Sequence, residues 1–263
     1  MILKLKFFLL NINFVKQVLA KTYTLINRDV KIFKKDNYWI HKKKKKYLLN
    51  FHPVLNFEKF EGVYKFFIKK YKPQKGHVIF DVGSGLGQEL LYLSKSVGKK
   101  GKIFSIESDP RLFKVLKQLV DLNKLGNVYL FNAFFHNKNG IYIKSNLLPL
   151  HDWMSNSINK SSEITFKLKT VTIDNIIKKY NIKKINFAKF NIEGSEINLA
   201  SGNNLFLKKC DNICISCHDF LTKKNYHTFK KIKHLLIKKK FEILNNTSNH
   251  KIIKYFIYGK KKN

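Results

Sequence analysis

The sequence predicts a three-layer α/β sandwich: a mostly parallel sheet with helices on both faces, closed by a C-terminal antiparallel hairpin and preceded by a helical extension. Three observations carry this. Apolar runs at 77–83, 102–108, 127–133, 185–194 and 212–220 are near-continuous rather than alternating, as strands buried on both faces must be. Helical patterns follow several of them, at 87–97, 110–124 and up to Tyr180, so strands alternate with crossover helices. The last two runs, FEILNN and KIIKYFIYG, flank a turn at 246–250 and read as a hairpin.

The elements follow in order. Residues 1–72 read as an N-terminal extension, with a helical pattern to about 27, a basic loop near 41–46 and a second helical pattern in FEKFEGVYKFFIKKY. Leu3, Phe7, Leu10 and Phe14 recur at helical spacing. That stripe packs on the main domain, or lies on an anionic membrane surface with Lys4, Lys6 and Lys16 near the headgroups. Asn11, Asn13 and Lys16 break the first apolar stretch, which is too short for a secretory signal. Pro73 and Gly76 punctuate the entry to the first core strand, so 73–263 is the expected main domain. Pro110 suits the first turn of its helix. The polar stretch 134–165 reads as irregular, a variable insertion suited to substrate contact. A strand-like ITFKLKTV leads to the short helix, with Asp174 as a cap residue, and a lysine-rich helix is expected over 222–239.

The formal charge is +35, and all but two of the 52 basic residues are lysine. Lysine is spread along the whole chain, as an A/T-rich coding sequence would produce, with the densest run at 42–46. Such a run is a solvated loop or an attractor for anions: acidic glycans, sugar phosphates, anionic lipid or nucleic acid. Near absence of arginine, whose planar fork reads phosphate geometry, disfavours specific nucleic-acid recognition. Cys210, Cys214 and Cys217 are an odd number without a credible signal, which argues for a reducing, cytoplasmic setting. Cys214 and Cys217 form a C-x-x-C, but on a strand residues three apart point to opposite faces, so structural cysteines and no metal site are expected.

The most telling stretch is HVIFDVGSGLG at 77–87 with KIFSIESDP at 102–110. A strand ends at Asp81, three glycines follow at Gly83, Gly85 and Gly87, and a helix comes next. Glycine lets the main chain turn sharply and approach a ligand with no Cβ in the way. The neighbouring strand ends in Glu107, placed to accept both hydroxyls of a ribose. A dinucleotide fingerprint needs its third glycine at 88, which is Gln88. D-x-G-x-G-x-G is instead the methyltransferase form, so the expected cofactor is S-adenosyl-L-methionine. Its contacts are expected from Asp81, Gly83, Gly85, Gly87 and Glu107, with Asn132 and Ala133 of the third strand flanking the adenine.

FDVGSGLG, IESDP, NVYLFNAFF, VTIDNII and AKFNIEGSEINLASG together resemble the FkbM family of S-adenosylmethionine-dependent methyltransferases, over about 76–220. The last segment is the most specific: the family reads roughly K-I-D-V-E-G-A-E there, with a glycine after a short helix. Lys189, Glu193, Gly194, Glu196 and Gly202 match, and CISCHDF resembles the family's strand ending in a histidine, here His218. Asn191 stands where the family usually has aspartate, Ser108 where it has a proline and Ser216 where an acid is common. Asn191 keeps an oxygen acceptor but loses a charge and any base function.

The resemblance implies a Rossmann-like class I fold and methyl transfer to a hydroxyl of a sugar on a glycan, glycolipid or other small molecule. In-line displacement at a sulfonium methyl mainly requires alignment, and a hydroxyl nucleophile also needs a proton acceptor. Either His218 or Glu193 takes that role, with Asn191 orienting donor or acceptor. Two alternatives differ in class: an RNA ribose methyltransferase, favoured by the charge, and a binding module of the same fold whose chemistry has lapsed, suggested by Asn191. Exocyclic-amine methylation is disfavoured, because Pro53, Pro73, Pro110 and Pro149 lie nowhere near 191 and no Asn/Asp-Pro-Pro-aromatic motif is present.

Overall fold

The computed structural model describes residues 13–55, 57, 62, 64–147, 165–201, 205–221 and 227–262. Leu3, Phe7, Leu10 and Gly202 therefore lie outside the described residues, as do 222–226 of the expected lysine-rich helix. Helix α1 (Asn13–Ile26) leads into strands β1 (Val30–Lys35), β2 (Tyr38–Lys43) and β3 (Lys46–Asn50), and α2 (Tyr64–Phe67) precedes the core. The core runs β4 (Val78–Val82), α3 (Leu90–Val97), β5 (Lys102–Glu107), α4 (Pro110–Leu122) and β6 (Val128–Asn132). A side sheet follows, made of β7 (Phe134–Phe135), β8 (Tyr142–Asn146) and β9 (Thr165–Val171). Then come α5 (Ile173–Lys179), β10 (Phe187–Phe190), a 3₁₀ turn (Ser195–Leu199), α6 (Leu205–Lys209), β11 (Asn212–Ser216), α7 (Phe229–Lys238), β12 (Phe241–Leu244) and β13 (Phe256–Lys261).

The central sheet has the order β12-β13-β11-β10-β4-β5-β6. Strands β4, β5, β6, β10 and β11 pair in parallel, and β13 runs antiparallel between β11 and β12. The expected sandwich and closing hairpin are both present. Alternate residues of each strand enter opposite layers. Phe80, Phe104, Ala188 and Phe190 pack with Ile176 of α5, Leu207 of α6 and Ile232 of α7. Ile79, Ile103 and Phe187 pack with Leu93 of α3, Leu116 of α4 and Phe67 of α2. Each fully buried Phe or Ile of this kind stabilises the fold by about 1.5–3 kcal/mol. Among the described residues no helix is long and apolar enough to cross a membrane.

Three expectations need correction. The basic loop near 41–46 is a β-hairpin: His41 to Lys43 lie in β2, Lys46 opens β3, and Lys44 takes the turn at φ 54°. Val30, Tyr38, Leu48 and Leu49 bury against Leu112, Val115 and Leu119 of α4, so core burial overrides a lysine run that composition reads as loop. The described residues of the extension thus form two helices and a three-stranded sheet rather than helices alone. The stretch 134–165 carries strands β7 and β8, whose alternation of Tyr142 and Lys144 with Ile143 was hidden by its polar content. Helix α3 starts at Leu90, not at Gly87, because Gly85 and Gly87 sit at φ 55° and 74°, outside helical space.

Candidate functional site

From β4 the chain moves outward to β5 and β6, then returns to lay β10 on the other side of β4. Such a reversal opens a crevice beyond the carboxyl ends of the strands. The glycine loop after β4 and the turn after β10 meet there. A Cβ on Gly83, whose φ is 78°, would lie 2.1 Å from the backbone oxygen of Asn191, far inside contact distance. What demands glycine at 83 is therefore the neighbouring main chain, beyond any approach of a ligand. The N–H groups of Gly83 and Ser84 both donate to Ile106 O, at 2.9 and 3.2 Å, and Asn191 N donates to Val82 O at 3.0 Å. Three strand ends are thereby tied into one floor.

Glu107 sits at the centre of the next corner. It is buried, and its oxygens accept from Gly85 N at 2.7 Å and Asp109 N at 2.8 Å. Burial pushes its carboxyl up to about 7, opposed by those two N–H groups. Each oxygen takes one protein donor, and a carboxylate has about four acceptor positions, so capacity for a diol remains. Asn132 donates to the Glu107 backbone oxygen at 2.9 Å, and Ala133 N donates to the same oxygen at 3.2 Å. Of the sequence-predicted set, Gly83, Gly85, Glu107, Asn132 and Ala133 are thus brought together at adjoining strand ends, whereas Gly87 turns toward α4, where a Cβ would lie 2.6 Å from Leu116. Residues of this kind fit S-adenosylmethionine: Glu107 for the ribose, the loop of Gly83 and Gly85 for the chain beside it.

Asp81 is placed differently. It is fully buried and stands opposite Lys189 in the β4–β10 register. Lys189 Nζ lies 2.9 Å from Asp81 Oδ1, donates to Gly83 O at 2.8 Å, and is 3.7 Å from Glu89 Oε1 and 4.9 Å from the Phe67 ring centroid. Burial pushes the Glu89 carboxyl up to about 7, with Lys189 opposing and Asp81 adding. Burial also works against the Lys189 ammonium, but Asp81 and Glu89 outweigh it and hold its pKa above the usual lysine value. Asp81 thus reaches the glycine loop through Lys189. The sequence matched Lys189 to a family pattern without a role, and Glu89 was not singled out at all.

The second half of the site lies at the ends of β10 and β11. Asn191 follows β10 directly. Glu193 is exposed and takes φ 51°, uncommon outside glycine, and Gly194 follows at 95°. His218 is buried beyond β11, its Nδ1 3.0 Å from Oε1 of Glu196, which has no exposure. That oxygen also accepts from Ile192 N at 3.3 Å, and Thr228 Oγ1 lies 3.5 Å from Oε2. Glu196 as an acceptor selects the His218 tautomer with the proton on Nδ1, leaving Nε2 as the basic nitrogen. Sequence reading gave Glu193 a chemical role and matched Glu196 to the family pattern without one. The available signal was its three-residue spacing from Leu199, which puts an acid on the apolar face of a 3₁₀ turn.

Asp174, expected to cap its own helix, instead accepts from Leu205 N and Phe206 N at 3.0 and 2.8 Å and so caps α6, while Thr172 caps α5. The three cysteines are buried and free of disulfides, Cys210 Sγ donates to Asn212 O at 3.1 Å, and burial pushes their thiols up.

A family model for the methyltransferase FkbM domain matches residues 81–251. No curated protein matches the chain. Among solved structures, a S-adenosylmethionine-dependent methyltransferase from Aquifex aeolicus is 15% identical, with TM-score 0.43 over 78% of this chain and 98% of that one. The FkbM methyltransferase of Methylobacillus flagellatus is 16% identical, with TM-score 0.45 over 72% of this chain, which spans only 44% of its length. Fibrillarin from Aeropyrum pernix, with natively bound S-adenosyl-L-methionine, is 10% identical, with TM-score 0.42 over 88% of this chain and 98% of that one.

Proposed function

The chain belongs to the FkbM methyltransferase family and is an S-adenosylmethionine-dependent methyltransferase, and we propose that it methylates a sugar hydroxyl on a glycan, glycolipid or other small molecule. The observation that carries the reading is the buried His218–Glu196 pair at the same sheet edge as the glycine loop. A hydroxyl attacks poorly until its proton is taken, and an imidazole is suited to take it near neutral pH. Glu196 holds the Nδ1 proton, so Nε2 of His218 accepts the proton of the acceptor hydroxyl. Asn191 orients the acceptor by hydrogen bonding, and the exposed Glu193 is the alternative proton acceptor. Glu107 and the loop of Gly83, Gly85 and Gly87 hold the donor, and Asn132 and Ala133 flank it. When bound, the donor supplies an electrophilic sulfonium methyl. The unit that carries this chemistry is 73–263.

The test is transfer of labelled methyl to a panel of saccharides and an RNA, with donor binding read separately by calorimetry. His218→Ala should lower turnover on the order of 10²–10⁴-fold while leaving donor affinity unchanged. Unchanged turnover would remove His218 from the chemistry. Transfer to the RNA alone would identify a ribose methyltransferase, and donor binding with no transfer to any acceptor a lapsed binding module.

A further inference from the structure

We infer that the exposed face of the β8–β9 hairpin is an arm that recognises negative charge on the acceptor, and that the acceptor is an acidic saccharide. The inference rests on the sugar-hydroxyl reading above and narrows it. In the antiparallel register Tyr142 faces Lys169 and Lys144 faces Lys167, so these four side chains share one face. All four are exposed, Tyr142 at 57%. The Lys167 and Lys169 ammonium groups lie 4.9 and 5.3 Å from the centroid of the Tyr142 ring. Neither β8 nor β9 contains an acid, and none of the three lysines forms an ion pair among the described residues. Like charges directly opposite each other destabilise a sheet, and among the described residues no acid compensates these.

Lysine is abundant throughout this chain, so number alone decides nothing. Position does. β7 continues directly from Ala133 and pairs with Thr170 and Val171 at the far end of β9. Phe135 of β7 packs edge-on against Phe190, the last residue of β10 before Asn191, with centroids 5.4 Å apart. Asn137 Nδ2 donates to Ser201 Oγ at 2.6 Å, just beyond the 3₁₀ turn that carries Glu196. The hairpin is therefore rooted in the edge where methyl transfer is placed. Its lysines cover roughly 7 Å along a strand and about 5 Å across the pair. That matches one or two sugar units with anionic groups, and is smaller than the about 4–16 nucleotides that single-stranded nucleic-acid sites span. An aromatic face flanked by cations suits a sugar ring bearing carboxylate, phosphate or sulfate.

The experiment compares the full chain with a triple variant, Lys144→Gln/Lys167→Gln/Lys169→Gln. A control of equal charge loss, Lys99→Gln/Lys100→Gln/Lys102→Gln, lies at the opposite, amino-terminal edge of the sheet. Fluorescein-labelled hexagalacturonate, maltohexaose and oligouridylate are titrated in by anisotropy, and S-adenosylmethionine by calorimetry. The expected result is salt-sensitive binding of the hexagalacturonate, weakened about tenfold in the arm variant and little in the control, with donor affinity intact in both. Equal loss in the two variants, or none in either, overturns the inference. So does tighter, arm-dependent binding of oligouridylate, which would assign the face to RNA. Failure of the wild-type chain to bind the donor would instead strike the methyltransfer reading itself.

Discussion

Replacing Lys189 by Met tests whether the site's floor rests on a buried charge cluster. Lys189 is 2% exposed, and its ammonium lies 2.9 Å from Asp81 and 3.7 Å from Glu89 while donating to Gly83 O at 2.8 Å. Methionine fills similar volume and keeps the contact with Phe67, so the change removes charge and hydrogen bonding rather than packing. What remains is two facing carboxyls and an unpaired carbonyl, all buried. Breaking a buried pair by removing one partner costs about 3–5 kcal/mol. For a chain of this size that lowers the melting temperature by roughly 6–20 °C. The exposed pair Lys114–Asp36, at 2.7 Å, is the control. Lys114→Met, in a pair that water screens on all sides, should leave the melting temperature close to that of wild type.

The cluster also fixes the sign of a pH effect. With Glu89 raised to about 7 in the folded chain, folding binds its proton, so this group's contribution to stability falls as pH rises from about 4.5 to about 7. Without the ammonium the carboxyls repel uncompensated, so the deficit of Lys189→Met should be larger at pH 8 than at pH 5.5. Circular-dichroism melts at the two pH values measure it. The double variant Lys189→Met/Asp81→Asn should recover part of the loss. A single variant that melts within about 2 °C of wild type at both pH values would refute the charge-cluster argument.

Gly83→Ala sets a Cβ 2.1 Å from the Asn191 oxygen and requires a positive φ, so β4 and β10 must part at their carboxyl ends. The expected loss is several kcal/mol or failure to fold, read by denaturant unfolding; a tolerated alanine would deny the main-chain contact. Glu107→Gln should weaken donor binding at least tenfold by calorimetry, since an amide presents one acceptor oxygen where the carboxylate presents two. Wild-type donor affinity should also decline as pH falls below about 7, where Glu107 takes up its proton, and that slope should vanish in Glu107→Gln while persisting in Glu89→Gln. Glu196→Ala should lower kcat with KM for the acceptor little changed, because nothing then fixes the His218 ring and its Nδ1 proton, and Glu196→Gln, whose amide oxygen can still accept from Nδ1, should restore part of it; equal kcat in all three forms would make Glu196 a packing residue only.

What the sequence revealed of the fold depended on how strongly each segment's pattern matched one environment. Continuous apolar runs such as 102–108 have no place but a sheet buried on both faces, and the parallel core follows from them. The hairpin β2–β3 and the strand β8, partner of the expected strand β9, were missed for the opposite reason. Lys42 and Lys46 give β2 and β3 the polarity of a loop, as Lys144 to Asn146 do for β8, and their stability comes from distant partners: Leu48 and Leu49 bury on α4, β8 leans on β9 across 18 or more residues of chain. At the site, glycines and strand-end acids announced themselves because backbone shape and carboxylate chemistry are local. The pairings were not local. Asp81 meets Lys189 through the register of two strands, and His218 meets Glu196 across 22 residues. Periodicity cannot report which of two acids, Glu193 or Glu196, turns inward after a left-handed step. At φ 51° Glu193 sends the chain into a tight 3₁₀ turn, and it is the next acid, one residue past Ser195, that this turn buries beneath the histidine.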